Sequence, residues 1–311
     1  MSQEFSNEES TPSVNSFHLA GIVPVSGQRL DYNLPWHDCL QPIAQNFLAV
    51  ERAVLECATA GCETIWIVCD SKMQPLIKHR LGEMVEDPAW IGRRFDKFPS
   101  ESKKAIPIYY VEIHPRDQGK KESLVWSVIH GAKVAHKTCH QLSKWITPDK
   151  YYVAFSYGVF PSQHIRKWRD TISRPGNFLL TTPKGNSVID NEYIGFAFDA
   201  SEVTRFSQLF WKKATGEFDP NSPLKDGKYP INKLPIAERH SGRYFQLKDI
   251  FESIDTQRPT TWVEMEWFYD ISTWEGYCRY LASEERKKMN RPKSDMLKYR
   301  TWKKVGVDDN E

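Results

Sequence analysis

Residues Phe17–Ile43 read FHLAGIVPVSGQRLDYNLPWHDCLQPI, and the fold follows from how this stretch is punctuated. Leu19-Ala-Gly-Ile-Val-Pro-Val25 is an unbroken apolar run, the pattern of a strand buried on both faces. The polar turn Ser26-Gly27-Gln28 follows, then Arg29. A turn-rich segment leads to Leu40-Gln-Pro-Ile43, an amphipathic helix over Ala44–Ala60 stopped by Gly61, and a second apolar run, Thr64–Cys69. A glycine turn after a buried strand lets a ligand approach the backbone and presents N–H groups. A guanidinium beside it forks onto phosphate oxygens. The same letters also spell an ordinary βα turn with a surface or salt-bridged arginine.

The remaining chain continues the alternation. A short helix is expected over Met73–Leu81 and a polar irregular stretch over 85–104. A third strand covers Ile106–Val111, a helix capped by Ser123 follows, and Tyr151–Phe155 is a fourth strand. Strand–helix–strand order predicts an α/β fold: a mostly parallel central sheet flanked by helices in three layers, with a small antiparallel extension. Function in such sheets sits at the carboxyl ends of the strands. Those ends are Val25–Gly27, Asp70-Ser71, Glu112–His114 and Ser156–Gly158. Further strands are read at Asn177–Thr182, Tyr193–Phe198 and Thr261–Glu266, and helices at Glu202–Lys213, Leu247–Ile254 and Trp274 to Lys288. Residues 216–243 read as a long loop or hairpin insertion.

Composition narrows the classes. The chain has 311 residues, 40% hydrophobic and 26% charged, with a formal net charge of +2, so charge gives no global argument for nucleic acid or membrane. No apolar run reaches membrane-span length, and residues 1–16 are polar, the pattern of a disordered tail rather than a signal peptide. The cysteines (Cys39, Cys57, Cys62, Cys69, Cys139, Cys278) have no metal spacing and read as reduced thiols of a cytoplasmic protein. Residues 284–311 form a basic tail, which raises a weak nucleic-acid contact beside the commoner reading of a solvated, frayed end.

Two distant segments resemble the sugar-nucleotide pyrophosphorylases, nucleotidyltransferases of the GT-A (nucleotide-diphospho-sugar transferase) fold. The first is Val23-Pro-Val-Ser-Gly27-Gln-Arg29-Leu30 followed by Leu40-Gln-Pro42-Ile43; the second is Trp267-Phe-Tyr-Asp270-Ile271-Ser-Thr273 ahead of a helix. The resemblance covers roughly residues 17–283. It implies nucleotide binding by Val23, Pro24, Ser26, Gly27 and Gln28, a catalytic Arg29, and an Asp270 that holds Mg²⁺. Two further glycines of the family loop align with Pro24 and Val25. The family's phosphate-contacting lysine falls in Pro35-Trp-His-Asp-Cys39, which has none, and its other metal aspartate falls at Ser156-Tyr157. Asp70 and Asp190 are the acids left to replace it.

Other candidates come from the residues themselves. Lys184, in Thr-Pro-Lys-Gly-Asn186, suits a substrate phosphate; His37 beside Asp38 suits an acid–base pair; His114 stands at a strand end. Asp270 also fits a cap for the helix after it. The leading expectation is a Mg²⁺-dependent transferase joining a nucleoside triphosphate and a sugar phosphate. The alternatives are a glycosyltransferase using a nucleotide-sugar on a macromolecular acceptor, and a catalytically degenerate nucleotide-binding module. The oligomeric state stays open.

Overall fold

Strand β1 (Leu19–Pro24) is buried at every residue, as its unbroken apolar run demands, and it lies in the middle of the sheet. The computed structural model describes residues 17–27, 37–91, 105–118, 121, 123–215, 242, 244–254, 258–291 and 296–297. After β1 come the short strands β2 (Pro42–Ala44) and β3 (Phe47–Leu48), α1 (Ala49–Ala60), β4 (Thr64–Cys69), α2 (Gln74–Leu81), β5 (Met84–Glu86) and α3 (Pro88–Ile91). Then follow β6 (Ala105–Glu112), α4 (Leu124–Leu142), β7 (Lys150–Val153), β8 (Gly158–Val159), a 3₁₀ helix (Ser162–Trp168), α5 (Arg169–Ile172), β9 (Asn177–Thr181) and β10 (Phe196–Asp199). The last elements are α6 (Glu202–Thr215), α7 (Leu247–Phe251), β11 (Thr260–Glu264), β12 (Tyr269–Asp270), α8 (Trp274–Ala282), α9 (Glu284–Lys288) and β13 (Met296–Leu297).

Among the described residues nine strands form one sheet, in the order β11-β9-β10-β7-β1-β4-β6-β5-β13. Only β5 and β10 run against the others, so the expected mostly parallel sheet is present. Each face carries its own core. One side packs α1, the 3₁₀ helix, α5 and α8 through Val50, Val54, Ile165, Ile172 and Tyr280; the other packs α4, α6 and α7 through Val128, Phe210 and Phe251. The antiparallel extension is the pair β8–β12 and the β2–β3 hairpin.

Three local readings change. The helix expected from Ala44 begins at Ala49, because Asn46 takes a positive φ of 54° and turns 42–48 into a hairpin. The Glu51 carboxylate then accepts the Leu48 N–H at 2.8 Å and closes the first helical turn. The C-terminal helix is two helices, because Ser283 is extended and its hydroxyl accepts the Arg286 N–H, opening α9. The stretch expected to be irregular from 85 holds β5 and α3. The expected tail at 1–16 and, Gly242 aside, the insertion at 216–243 lie outside the described residues. All six cysteines are free thiols, and no described helix is long and apolar enough to cross a membrane.

Helix α1 is buried on all sides, yet it carries Arg52 and Glu56, both fully buried. Arg52 Nη1 donates to Glu56 Oε2 at 2.8 Å, Nη2 donates to the Phe155 carbonyl, and the guanidinium lies 4.7 Å from the Phe160 ring centroid. Glu56 Oε1 accepts the Tyr152 hydroxyl at 2.8 Å. Burial pushes the Glu56 carboxyl up, with Arg52 and Tyr152 opposing it. Arg52→Met strands the buried carboxylate and is expected to cost about 3–5 kcal/mol by urea denaturation, while Arg52→Met combined with Glu56→Leu recovers most of that loss.

Lys150 is also buried in β7, with Nζ donating to the Arg174 carbonyl at 2.7 Å. Burial pushes its ammonium down from 10.5 to about 8, with Asp199 opposing. The unfolded chain therefore holds this proton between about pH 8 and 10.5 while the folded chain has lost it. Lys150 thus contributes a stability that rises with pH across that window, on the order of 3 kcal/mol in full. Denaturation of Lys150→Met across this pH range is expected to show a smaller rise than the parent.

Candidate functional site

All parallel strands end on one edge, and the chain leaves that edge in a different way at each. At β1, Pro24 has no N–H to give the ladder, and Val25 and Ser26 N–H both donate to the Val68 carbonyl, at 2.9 and 3.0 Å. The chain bends out at Gly27, whose φ is 105°. Any Cβ there would collide with the backbone of Ser123 at the start of α4, and Ser127 Oγ donates to the Ser26 carbonyl at 2.6 Å. The glycine is therefore required by packing of the turn on α4. Val23 and Pro24 are buried within the sheet, and Val23 belongs to the apolar core, so they fix the turn's position. Gln28 and Arg29 lie outside the described residues.

Beside β1, strand β7 ends at Val153 and the chain runs through Ala154, Phe155, Ser156 and Tyr157 into β8. Here the far end of the sequence returns. Tyr269 and Asp270 pair with Val159 and Gly158, and Ile271 N–H donates to the Tyr157 carbonyl at 2.8 Å. Asp270 thus lies next to the place where the resemblance puts the second metal aspartate. Gly158 is pinned there, because a Cβ would run into the Tyr193 carbonyl and approach the Phe268 ring to 2.8 Å. Tyr157 is 1% exposed and meets Tyr193 edge to face at 5.7 Å. Ser156 is fully buried, and its hydroxyl finds no hydrogen-bond partner among the described residues.

The Asp270 carboxylate is engaged locally. Oδ1 accepts the Ser272 N–H at 2.7 Å, and Thr273, not Asp270, caps α8 by accepting the Gly276 N–H. Burial pushes the Asp270 carboxyl up, the Ser272 bond opposing. Asp190 is likewise committed, accepting the Ser187 N–H at 2.9 Å, and Asp70 accepts the Ser71 hydroxyl at 3.3 Å. Among the described residues no group of three or more His, Cys, Asp or Glu side chains could hold a metal ion. A two-carboxylate Mg²⁺ site of the family type does not fit this donor set: Asp270 already accepts a backbone N–H, and Ser156-Tyr157, where the resemblance implies the other aspartate, holds no carboxylate.

Lys184 sits where β9 ends on the same edge. The Thr182–Gly185 turn, with Gly185 N–H donating to the Thr182 carbonyl at 2.8 Å, displays it to solvent. The two histidines raised from the sequence serve turns: His37 Nδ1 accepts the Cys39 N–H, and His114 Nδ1 accepts the Arg116 N–H at 3.2 Å. Burial holds His37 below its ordinary value, with Asp38 and Asp70 opposing. The edge therefore carries Ser26–Gly27 beside the junction that holds Ser156 and Asp270, while Lys184 follows β9, which β10 separates from β7. Sequence reading named Ser156 only as part of a strand end, and passed over the Arg52–Glu56 pair, whose i,i+4 spacing inside a largely apolar helix was the available signal.

No family model matches the chain, and no curated protein does. Solved structures do. A protein assigned as a glucose-1-phosphate thymidylyltransferase from Bacillus anthracis, in complex with sucrose, superposes with a TM-score of 0.54 at 13% identity over 88% of this chain and 97% of that one. 4-Diphosphocytidyl-2C-methyl-D-erythritol synthase from Anaerococcus prevotii gives 0.47 at 12% identity over 88% and 98%. A UDP-glucose pyrophosphorylase complexed with UDP-glucose gives 0.47 at 12% identity over 87% and 99%. The chain has the fold of a nucleotidyltransferase-like protein, as the resemblance implied.

Gly27→Ala combines a left-handed backbone with a backbone collision and is expected to lose about 3 kcal/mol in chemical denaturation. Asp270→Asn keeps an acceptor for the Ser272 N–H and is expected to stay within about 0.5 kcal/mol of the parent, whereas Asp270→Ala loses about 1 kcal/mol in the same measurement.

Proposed function

We propose that the chain binds a nucleotide or nucleotide-sugar across the carboxyl edge of its sheet and does so without the two-carboxylate metal site of nucleotidyl transfer. The observation that carries this reading is the junction of β7, β8 and β12. There Asp270 pairs beside Gly158 and accepts the Ser272 N–H, and Ser156-Tyr157, where the resemblance implies the other metal aspartate, holds no carboxylate. In this reading the bend at Gly27 offers its backbone N–H, Lys184 supplies the charge for a phosphate, and the Ser156 hydroxyl supplies a further donor or acceptor. Gln28 and Arg29, the family-type phosphate contacts implied by the resemblance, follow Gly27 directly in sequence.

A second reading keeps the transfer of a nucleotide from a nucleoside triphosphate to a sugar phosphate. It is favoured by the position of Asp270 beside Gly158, in the strand that follows β7. In that reading Asp270 supplies one carboxylate toward Mg²⁺, and the metal would neutralise phosphate charge during attack at the α-phosphorus.

Thermal unfolding in the presence of nucleoside mono-, di- and triphosphates and nucleotide-sugars, with and without Mg²⁺, separates the two. Binding alone predicts a rise in Tm that does not need Mg²⁺ and is lost in Lys184→Ala. A shift confined to triphosphate with Mg²⁺, together with pyrophosphate release that Asp270→Ala abolishes, establishes the transferase and overturns the binding module. No shift with any nucleotide overturns both.

A further inference from the structure

Away from the sheet edge, the turn of the β2–β3 hairpin faces the end of α9 across a groove of about 430 Å³. Its walls carry Gln45, Asn46, Arg286, Lys287, Asn290 and Arg291. The hairpin is tied to the helix that precedes α9, with Tyr277 and Tyr280 hydroxyls donating to the Pro42 and Ile43 carbonyls, each at 2.8 Å. The groove is therefore a built feature of two anchored elements.

Its charge is unbalanced. Fully buried Glu51 serves two guanidinium groups at once, Arg80 Nη2 at 3.0 Å and Arg291 Nη2 at 3.5 Å, and it also accepts the Leu48 N–H. Arg80 Nη2 also donates to the Asn46 carbonyl and side-chain oxygens, at 3.0 and 2.8 Å, which fixes the turn. Lys287 has an exposed partner in Glu284, a pairing that water and salt weaken. No carboxylate among the described residues pairs with the Arg286 guanidinium. Of the three cations that line the groove, Arg286 pairs with no carboxylate among the described residues, Lys287 pairs with exposed Glu284, and Arg291 shares Glu51 with Arg80. Arg291 Nε and Arg80 Nε are both buried without a hydrogen-bond partner, so neither guanidinium is satisfied within the described protein.

We infer that this groove seats the phosphate backbone of a single-stranded nucleic acid. The choice of a polymer over a small anion comes from the sequence that follows Arg291. Through Lys304 it holds Lys293, Lys298, Arg300, Lys303 and Lys304 against the single acid Asp295, with Tyr299 and Trp302 between the basic residues. Basic side chains interleaved with aromatics suit phosphates and unstacked bases together, whereas an acidic peptide offers no bases to stack. The inference does not depend on the nucleotide site proposed above, and its test uses a different ligand and different residues.

The test is fluorescence anisotropy of the full chain with a labelled RNA strand of about 20 nucleotides and mixed sequence. The expected result is binding at about 50 mM salt that weakens at least tenfold, roughly, by 200 mM. Arg286→Glu with Lys287→Glu is expected to lower the affinity by about tenfold or more, and Arg286→Gln with Lys287→Gln by less, in line with charge removed. Both pairs are solvent-exposed, so Tm is expected to hold. Three results each overturn the inference: no binding at the lower salt, binding that the reversal leaves unchanged, or equally tight binding of polyglutamate or of anionic phosphatidylserine vesicles.

Discussion

Burying an arginine and a glutamate inside a helix that is enclosed on every side costs several kcal/mol per ion before any contact is made. This chain meets that cost at Arg52 and Glu56 with four polar interactions. The two side chains pair, Tyr152 donates to Glu56, and Arg52 donates to the Phe155 carbonyl while lying on the Phe160 ring. Each partner comes from β7 or from the segment that follows it. The network thus fixes the backbone at the point where the central sheet gives way to β8. A carbonyl at that point would otherwise be buried without a ladder partner. Holding it from α1 defines where Ser156, Tyr157 and Gly158 stand, and through β8 where β12 and Asp270 stand.

The same junction explains how the two ends of the chain meet. Strand β1 lies against β7 in parallel register, so Ser26–Gly27 and Ser156–Gly158 leave the sheet on one edge as neighbours. Strand β12 adds to β8 from outside, and the Tyr277 and Tyr280 hydroxyls then bind α8 back to the β2–β3 hairpin. Segments more than two hundred residues apart in sequence are locked by backbone bonds and two phenols.

The fold was legible because its evidence is periodic. An unbroken apolar run such as Leu19–Val25 has few places to go except a doubly covered strand, and alternating helices leave parallel pairing as the consistent arrangement. The site was less legible because its determinants are geometric. Asp270 carries the motif pattern, but only coordinates reveal that its carboxylate already holds the Ser272 N–H. Tyr157 reads as a strand-end aromatic, and its burial against Tyr193 depends on a contact between segments far apart in sequence. The start of α1 was displaced by one residue's φ, that of Asn46, a choice that local propensity leaves open. The Arg52–Glu56 pair reads as a surface i,i+4 pair unless the whole helix is known to be enclosed.

What an edge of this kind can do follows from where its charges are free. In nucleotidyl transfer the negative charge that builds around the α-phosphate has to be met by a metal held on at least two oxygen donors, or by several fixed cations. Here the carboxylates near the junction are spent on the protein's own N–H groups, and the position beside them is filled by a buried ring. Backbone N–H groups and a displayed lysine suffice to hold a phosphate in its ground state, since binding needs only net attraction. Acceleration demands attraction that grows as the reaction proceeds. An arrangement that keeps the cradle and loses the paired acids retains the first property without the second. The α1 network fixes the backbone of the junction with or without paired acids beside it.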